Sequence, residues 1–356
     1  MKILFAGGNG YLPEFNGGVQ SSTDHLVRQC IVHGHETAVL AALFGDGLRG
    51  LQARLKLKFG GSPVATDRAL GYPVMRAWFP WEAAAHVART FRPDVALVQC
   101  HKAVKVGAAL NAQGVPLVVY LRNVEFDELA GDPRELPTAK FIANSEFTAE
   151  AYRQAFGIRS VVIPPTIDKK KYTYSKTDEF VTFINLYPEK GFHTALAVAQ
   201  ICPDIPFLFV ESWKLNGDHL LQVEQSLRVL PNVTFKRRTD DMSEVFGRTK
   251  ILLAPSQWEE AWGRVASEAH CSGIPVVGSN RGGLPEAIGP GGMILLHDAP
   301  AEEWAAAIRL LWSNPAAYET YSRAATTYAG RKQLDSTTQF NSFMEVLRSA
   351  HLGAHP

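Results

Sequence analysis

The chain has 356 residues, 46% of them hydrophobic and 20% charged, with a formal net charge of +1. That length exceeds one small core and fits two domains of ordinary size. The near-neutral balance in itself calls for neither nucleic acid nor an anionic membrane as a partner. Cys30, Cys100, Cys202 and Cys271 are too dispersed for a zinc site or a disulfide framework, which suits a reducing, cytoplasmic setting.

The first residues, MKILFAGGNG, turn to glycine after a short apolar run, so they read as a strand rather than a signal peptide. Strand-like runs follow at 36–43, 94–99, 116–121, 140–145 and 160–165, then at 180–185, 206–211, 232–236, 250–256 and 274–279. Amphipathic stretches such as TDHLVRQCIVHG separate them, and this alternation predicts parallel sheets with crossover helices. LQARLKLKF (51–59) alternates leucines with Arg54, Lys56 and Lys58. It is either an ordinary exposed helix or hairpin, or a basic edge that touches anionic lipid. The polar stretch 164–179, opened by two prolines, marks a boundary between domains 1–168 and 169–332. The tail after Pro315 reads as helical, with Tyr328, Phe340, Phe343 and Leu347 on its apolar face. Its last helix, about 333–350, is expected to return to the N-terminal domain.

In open parallel sheets, ligands bind beyond the carboxyl ends of the strands. Those ends carry GGNGYLPEFNGGVQ, CHK (100–102) and RNVE (122–125) in the first half. In the second half they carry NLYPEKG (185–191), ESW (211–213), KRRTDD (236–241), QWEEAWG (257–263) and NRGGLPE (280–286). Two such edges facing each other would make a cleft for a divided substrate. The stretch WEEAWGRVASEAHCSGIPVVGS (258–279) is the most informative. Gly263 is expected to open a helix that closes near Gly273, and the free N–H groups from Trp262 to Val265 would suit a phosphate. Glu260 precedes that helix and Glu268 lies within it. A carboxylate repels phosphate, so both are expected to bind hydroxyls. Phosphate flanked by hydroxyl-binding acids describes a nucleotide sugar.

These residues resemble the retaining glycosyltransferases of the GT-B fold, family four. The resemblance rests on the E-x7-E motif, Glu260 to Glu268, with AHCSGIPVVGS and GGLPE in register. It also rests on PEKG (188–191) and on FNGGVQ with Gly17 and Gly18. It implies an α/β chain of two Rossmann-like, doubly wound parallel-sheet domains facing a central cleft, the first shaping the acceptor pocket and the second the donor pocket. Glu260 would bind the transferred sugar, Glu268 the ribose, and the N–H groups of Trp262, Gly263 and Arg264, with Val265 beside them, the distal phosphate. Lys190 and Gly191 would hold the pyrophosphate, and Thr239 with its neighbours the base. The implied reaction is retaining hexosyl transfer from a UDP- or GDP-linked sugar to a glycan, lipid-linked or small-molecule hydroxyl, without metal or cofactor.

Two positions depart from the pattern. Asn185 stands where many relatives carry an arginine, and Arg264 or Arg238 is expected to replace that cation. Arg122 stands where relatives place a histidine. His101, at another strand end, is a candidate substitute, or else a structural residue. The arginine would itself suit an anionic substrate such as a uronic acid or a phosphate. Rival readings are a binding protein of this fold without turnover and, on architecture alone, a nicotinamide-dependent oxidoreductase. The expected location is cytoplasmic, with peripheral contact at the inner membrane face through Arg54, Lys56 and Lys58.

Overall fold

A strand that is apolar at every position has to be covered on both faces, and the chain meets that demand twice. The computed structural model describes residues 1–15, 17–45 and 47–353. They divide into two units, Met1–Thr166 with the segment from Ser336, and Ile167–Asp335.

Among the described residues the first unit holds β1 (Lys2–Ala6), β2 (Glu36–Ala42), β3 (Ala65–Asp67), β4 (Val74–Ala77), β5 (Val95–Gln99), β6 (Leu117–Leu121), β7 (Lys140–Ala143) and β8 (Val161–Val162). Their order is β3-β4-β2-β1-β5-β6-β7-β8, and only the β3–β4 pairing is antiparallel. Side chains alternate across the sheet. Leu4 and Ala6 join Leu40, Val98 and Val119 in one cluster, whereas Ile3 and Phe5 join Val39, Leu97 and Val118 in another. The helix Ser336–Gly353 covers the second face with Phe340, Phe343 and Leu347, and Phe343 stacks on Phe5 at 6.2 Å. Helix α1 (Gly18–Val32) follows β1, and α2 (Gly47–Phe59) follows β2.

The second unit holds β9 (Phe180–Ile184), β10 (Phe207–Val210), β11 (Val233–Lys236), β12 (Thr249–Ala254), β13 (Val276–Ser279) and β14 (Gly292–Leu295). All pair in parallel, in the order β11-β10-β9-β12-β13-β14.

The sequence reading missed β3, β4 and β14. Arg76 interrupts the apolar run of β4, yet its side chain is only 2% exposed because carbonyls and carboxylates surround it. The segment 51–59 is helical, within α2, and not a hairpin. The tail is not one apolar face. Helix Pro315–Ala329 ends before a turn, and its Tyr328 donates to the Glu286 carbonyl inside the second unit at 3.0 Å. No helix among the described residues is long and apolar enough to cross a membrane.

Candidate active site at the strand ends

In the second unit the loops after the strands gather round one ion pair. Lys190 closes the 3-10 turn Pro188–Lys190 after β9, and its Nζ donates to Oε1 of Glu260 at 2.6 Å. Ser256 Oγ donates to the same oxygen at 3.1 Å. The ring centres of Trp213 and Trp258 stand 5.1 and 5.9 Å from the ammonium, within cation–π reach. Main-chain contacts set this geometry. The Glu189 carbonyl accepts from the amides of Gln257 and Trp258, both at 2.9 Å. Gly191 has φ 86°, and a Cβ there would lie 2.0 Å from the Pro255 carbonyl oxygen. Gly282 has φ 59°, and its Cβ would lie 2.2 Å from the Glu260 carbonyl oxygen. That same oxygen accepts from the Gly283 amide at 2.6 Å. Three segments distant in sequence are thus clasped by approaches that only glycine permits.

Glu268 lies within the helix Arg264–His270 and is 8% exposed. Arg264 Nη2 donates to its Oε1 at 3.0 Å. The helix closes as expected at Gly273, with φ 63°, where the Ile274 amide reaches back to the Ala269 carbonyl. Asn185 ends β9 in the left-handed region at φ 81°, and its buried Oδ1 has no hydrogen-bond partner among the described residues. Backbone held this way costs on the order of 1 kcal/mol or more and persists mainly at ligand sites. Glu211, at the end of β10, accepts from Arg237 Nε at 2.7 Å and from the amides of Leu215 and Arg238 at 2.9 and 3.2 Å. Burial pushes its carboxyl up, and those hydrogen bonds outweigh burial to leave its pKa lowered.

In the first unit the edge is built on the loop after β1. The Gly8 amide donates to the His101 carbonyl at 2.8 Å, and a Cβ on Gly8 would lie 2.5 Å from that oxygen. His101 stands between Cys100 and Lys102, both left-handed at φ 59° and 58°. Arg76 holds the far side of the loop, donating to the carbonyls of Tyr11 and Leu12 and lying 3.6 Å from Glu14. Tyr11 bonds to the Tyr72 hydroxyl, which donates to Asp24 on α1 at 2.6 Å. Burial pushes both phenols well above their ordinary pKa.

Arg122 follows β6 and packs its guanidinium 4.0 Å from the Tyr120 ring centre. Its Nη1 donates to Ser22 Oγ at 2.6 Å and to the Val19 carbonyl at 3.3 Å, both on α1. The residue is 9% exposed, Nε and Nη2 are buried without partners, and among the described residues no carboxylate pairs with it. A buried cation without a counter-charge costs several kcal/mol. A cavity of about 20 Å³ lined by Gly7, Tyr11, Gln20 and Gln99 is the size of a water, not of a sugar.

The structure thus brings Lys190, Gly191, Glu260 and Gly263 to one set of loops, and keeps Glu268 on the adjoining helix. The side chains of the other expected residues have local partners or face solvent. Arg264 is paired with Glu268 at 3.0 Å, as Lys190 is with Glu260. Arg238 contributes its amide to Glu211, while its exposed side chain makes no bond or ion pair among the described residues. Trp262 is a core plug, 4% exposed, with Nε1 donating to Ser267 Oγ at 3.0 Å. The Thr239 hydroxyl accepts from the Asp241 amide at 3.1 Å and so shapes a turn. Gly17 caps α1 at φ −161°, an extended conformation open to any residue, and Gly18 begins the helix. Sequence reasoning missed Ser256 and Arg76, and it placed Glu211 at a strand end within ESW without giving it a role. An acid directly ending an apolar strand was the available signal for Glu211.

Two family models match in succession, Glycosyltransferase Family 4 over residues 16–171 and Glycosyl transferases group 1 over residues 165–332. Among solved structures, Anabaena Alr3699/HepE in complex with UDP-glucose superposes with a TM-score of 0.77 at 22% identity, over 98% of this chain and 100% of that one. A glycogen synthase of Mycobacterium tuberculosis is 25% identical over 99% of this chain and 95% of its own length. A D-inositol 3-phosphate glycosyltransferase of Rhodococcus opacus is 34% identical over 115 residues, 32% of this chain. That match spans only 26% of the relative's length. The fold is GT-B, two parallel-sheet α/β domains. With both models matched, the chain belongs to the GT-B glycosyltransferases, a family 4 domain leading and a group 1 domain following.

Proposed function

We propose that this chain transfers a sugar from a nucleotide diphosphate to an acceptor hydroxyl, with retention at the anomeric carbon and without a metal ion. The observation that carries the reading is the Lys190–Glu260 pair at 2.6 Å, held where the PEKG, E-x7-E and GGLPE segments converge. In this reading a bound diphosphate takes over Lys190. Glu260 is then released to accept hydrogen bonds from the hydroxyls of the transferred sugar, and Glu268 binds the ribose. Lys190 stabilises the charge that develops on the departing diphosphate, with the amides from Trp262 to Val265 beside it. Asn185, with its unpartnered carbonyl, is a further contact of the donor. The complex of Alr3699/HepE with UDP-glucose favours a UDP-linked sugar.

Arg122 narrows the substrate class. Its missing counter-charge supports an anionic group, a carboxylate or a phosphate, on the donor sugar or on the acceptor.

Thermal unfolding with UDP-, GDP- and dTDP-sugars and with NAD tests the reading. A ligand at about 100 times its Kd stabilises by about 2.7 kcal/mol, so one sugar nucleotide is expected to raise the midpoint clearly. Slow hydrolysis of that nucleotide in EDTA would then support metal-free turnover. A shift with NAD and none with any sugar nucleotide overturns the proposal. Binding without hydrolysis or transfer leaves the binding-protein reading in its place.

A further inference from the structure

We propose that the first unit carries a docking surface for an anionic lipid bilayer, built from α2 and the aromatic turn after β4. The helix is attached by a narrow contact, in which Ala53 and Leu57 meet Leu43 and Ala65. Leu51, Leu55 and Phe59 are spaced four apart and so form one stripe. At about 100° per residue that stripe lies roughly 200° round the helix from Ala53 and Leu57. Its residues are 52%, 49% and 74% exposed. A surface helix normally turns a polar face to water, whereas α2 is apolar on the side away from its own sheet.

The stripe does not stand alone. Phe15, Phe44, Trp78 and Phe79 are also exposed on this unit. Phe15 stacks on Phe44 at 5.4 Å. The Arg54 guanidinium donates to the Phe44 carbonyl at 3.4 Å and lies 5.9 Å from the Trp78 ring centre. Phe79 meets Trp81 at 5.3 Å, and the ammonium groups of Lys102 and Lys105 lie 4.6 and 4.4 Å from the Trp81 ring centre. These contacts make two groups, Phe15, Phe44, Arg54 and Trp78 in one and Phe79, Trp81, Lys102 and Lys105 in the other, which meet where Trp78 and Phe79 adjoin in the chain.

The charge of this surface names the occupant. By helical geometry Arg54 and Lys58 flank the stripe on one side and Lys56 on the other. From Phe44 to Glu82 the sequence holds three acids, Asp46, Asp67 and Glu82, against six basic residues, and the Asp67 carboxylate accepts from Arg76 Nε at 3.0 Å. None of Arg54, Lys56, Lys58, Lys102 and Lys105 forms an ion pair among the described residues. A second copy of the same surface would set these cations against one another, which disfavours self-association. Tryptophan, phenylalanine and leucine interleaved with lysine and arginine match the boundary between anionic headgroups and acyl chains. Such a bilayer would lie beside the loop after β1.

Flotation of the purified full chain with vesicles tests this without any sugar substrate. Binding to equimolar phosphatidylglycerol and phosphatidylcholine is expected, weaker to phosphatidylcholine alone, and falling as salt rises. Leu55→Asp with Phe59→Asp should abolish it. Lys56→Ala and Lys58→Ala should each weaken it roughly fivefold, the equivalent of about 1 kcal/mol per basic residue at an anionic surface. Unchanged melting and unchanged hydrolysis of a sugar nucleotide in these variants would separate lost docking from lost fold or lost activity. No binding of the wild-type chain to the anionic vesicles overturns the proposal, as does equal binding by the variants. A dimer in light scattering that Leu55→Asp disperses overturns it in favour of a second copy.

Discussion

The strand-end edges of the two units treat charge in opposite ways. In the second unit the pairs Lys190–Glu260, Arg264–Glu268 and Arg237–Glu211 close at 2.6, 3.0 and 2.7 Å. In the first, Arg122 is buried among α1 atoms with two nitrogens unpartnered and, among the described residues, no ion pair. A paired set rests comfortably until a ligand exchanges one partner for another. An unpaired buried cation is strained until an anion arrives. The same doubly wound architecture therefore carries one edge whose buried cations are paired and one where Arg76 is paired with Glu14 and Asp67 while Arg122, among the described residues, has no counter-charge.

The largest effect expected from this contrast is at the stored pair. Lys190→Ala should lower kcat/KM for transfer by about a hundredfold to a thousandfold, the usual loss when one group that stabilises developing negative charge is removed. Glu260→Ala should also slow transfer, while leaving the diphosphate contact in place. Steady-state kinetics of both variants, with urea unfolding as the control, separates chemistry from folding. Retention of full turnover by Lys190→Ala would reduce the pair to a structural clasp.

Arg122→Met attacks the other half of the comparison and should act with two signs. Replacing an unpaired buried cation by an apolar side chain of similar length removes the burial cost of an uncompensated charge and is expected to stabilise the fold, read as a higher urea midpoint. Losing a charged hydrogen bond to an anionic substrate costs about 1.5–3 kcal/mol, or roughly tenfold to a hundredfold and more in kcat/KM. A neutral substrate analogue should be spared that loss. Equal losses with charged and neutral substrates would show that Arg122 is a structural plug.

The alternation of apolar runs made both sheets legible, because buried parallel strands leave little room for other residues. β3 escaped because it is three residues with one buried position, and β4 because Arg76 reads as a surface residue; only tertiary contacts with Tyr11, Leu12, Glu14 and Asp67 account for the burial of Arg76. At the site, Lys190, Glu260 and the glycines were visible through the motifs that hold them, where a Cβ on Gly191 or Gly282 would lie 2.0 or 2.2 Å from a backbone oxygen and Gly263 is left-handed at φ 92°. Gly17 was a weaker case, as its backbone is extended. The place of the Trp262 indole depends on tertiary contacts, with Nε1 donating to Ser267 inside the second unit's core. The engagement of Arg264 by Glu268 follows from i to i+4 spacing on a helix and was therefore open to inspection. The missing counter-charge of Arg122 was not, because it depends on what three separated segments place around it.

A last prediction concerns a titratable group buried away from both edges. His270 ends the helix that carries Glu268, is fully buried, and packs against Gly291 and the Tyr328 ring at 6.4 Å. Burial pushes its pKa down to about 4, with the nearby Arg331 charge adding to the shift. The folded pKa lies below that of the unfolded chain, so the unfolded state takes up protons first as pH falls. The stabilising contribution is thus complete above about pH 6.5 and is lost progressively toward pH 4. Between pH 6.5 and 5.5 that loss amounts to about 1 kcal/mol, or about 2–4 °C in the melting midpoint of a unit this size. His270→Leu should remove this part of the acid sensitivity whatever its effect at neutral pH. Parallel melting curves of both proteins across that interval would locate the sensitivity elsewhere, and the helix bearing Glu268 would then owe nothing to a neutral imidazole.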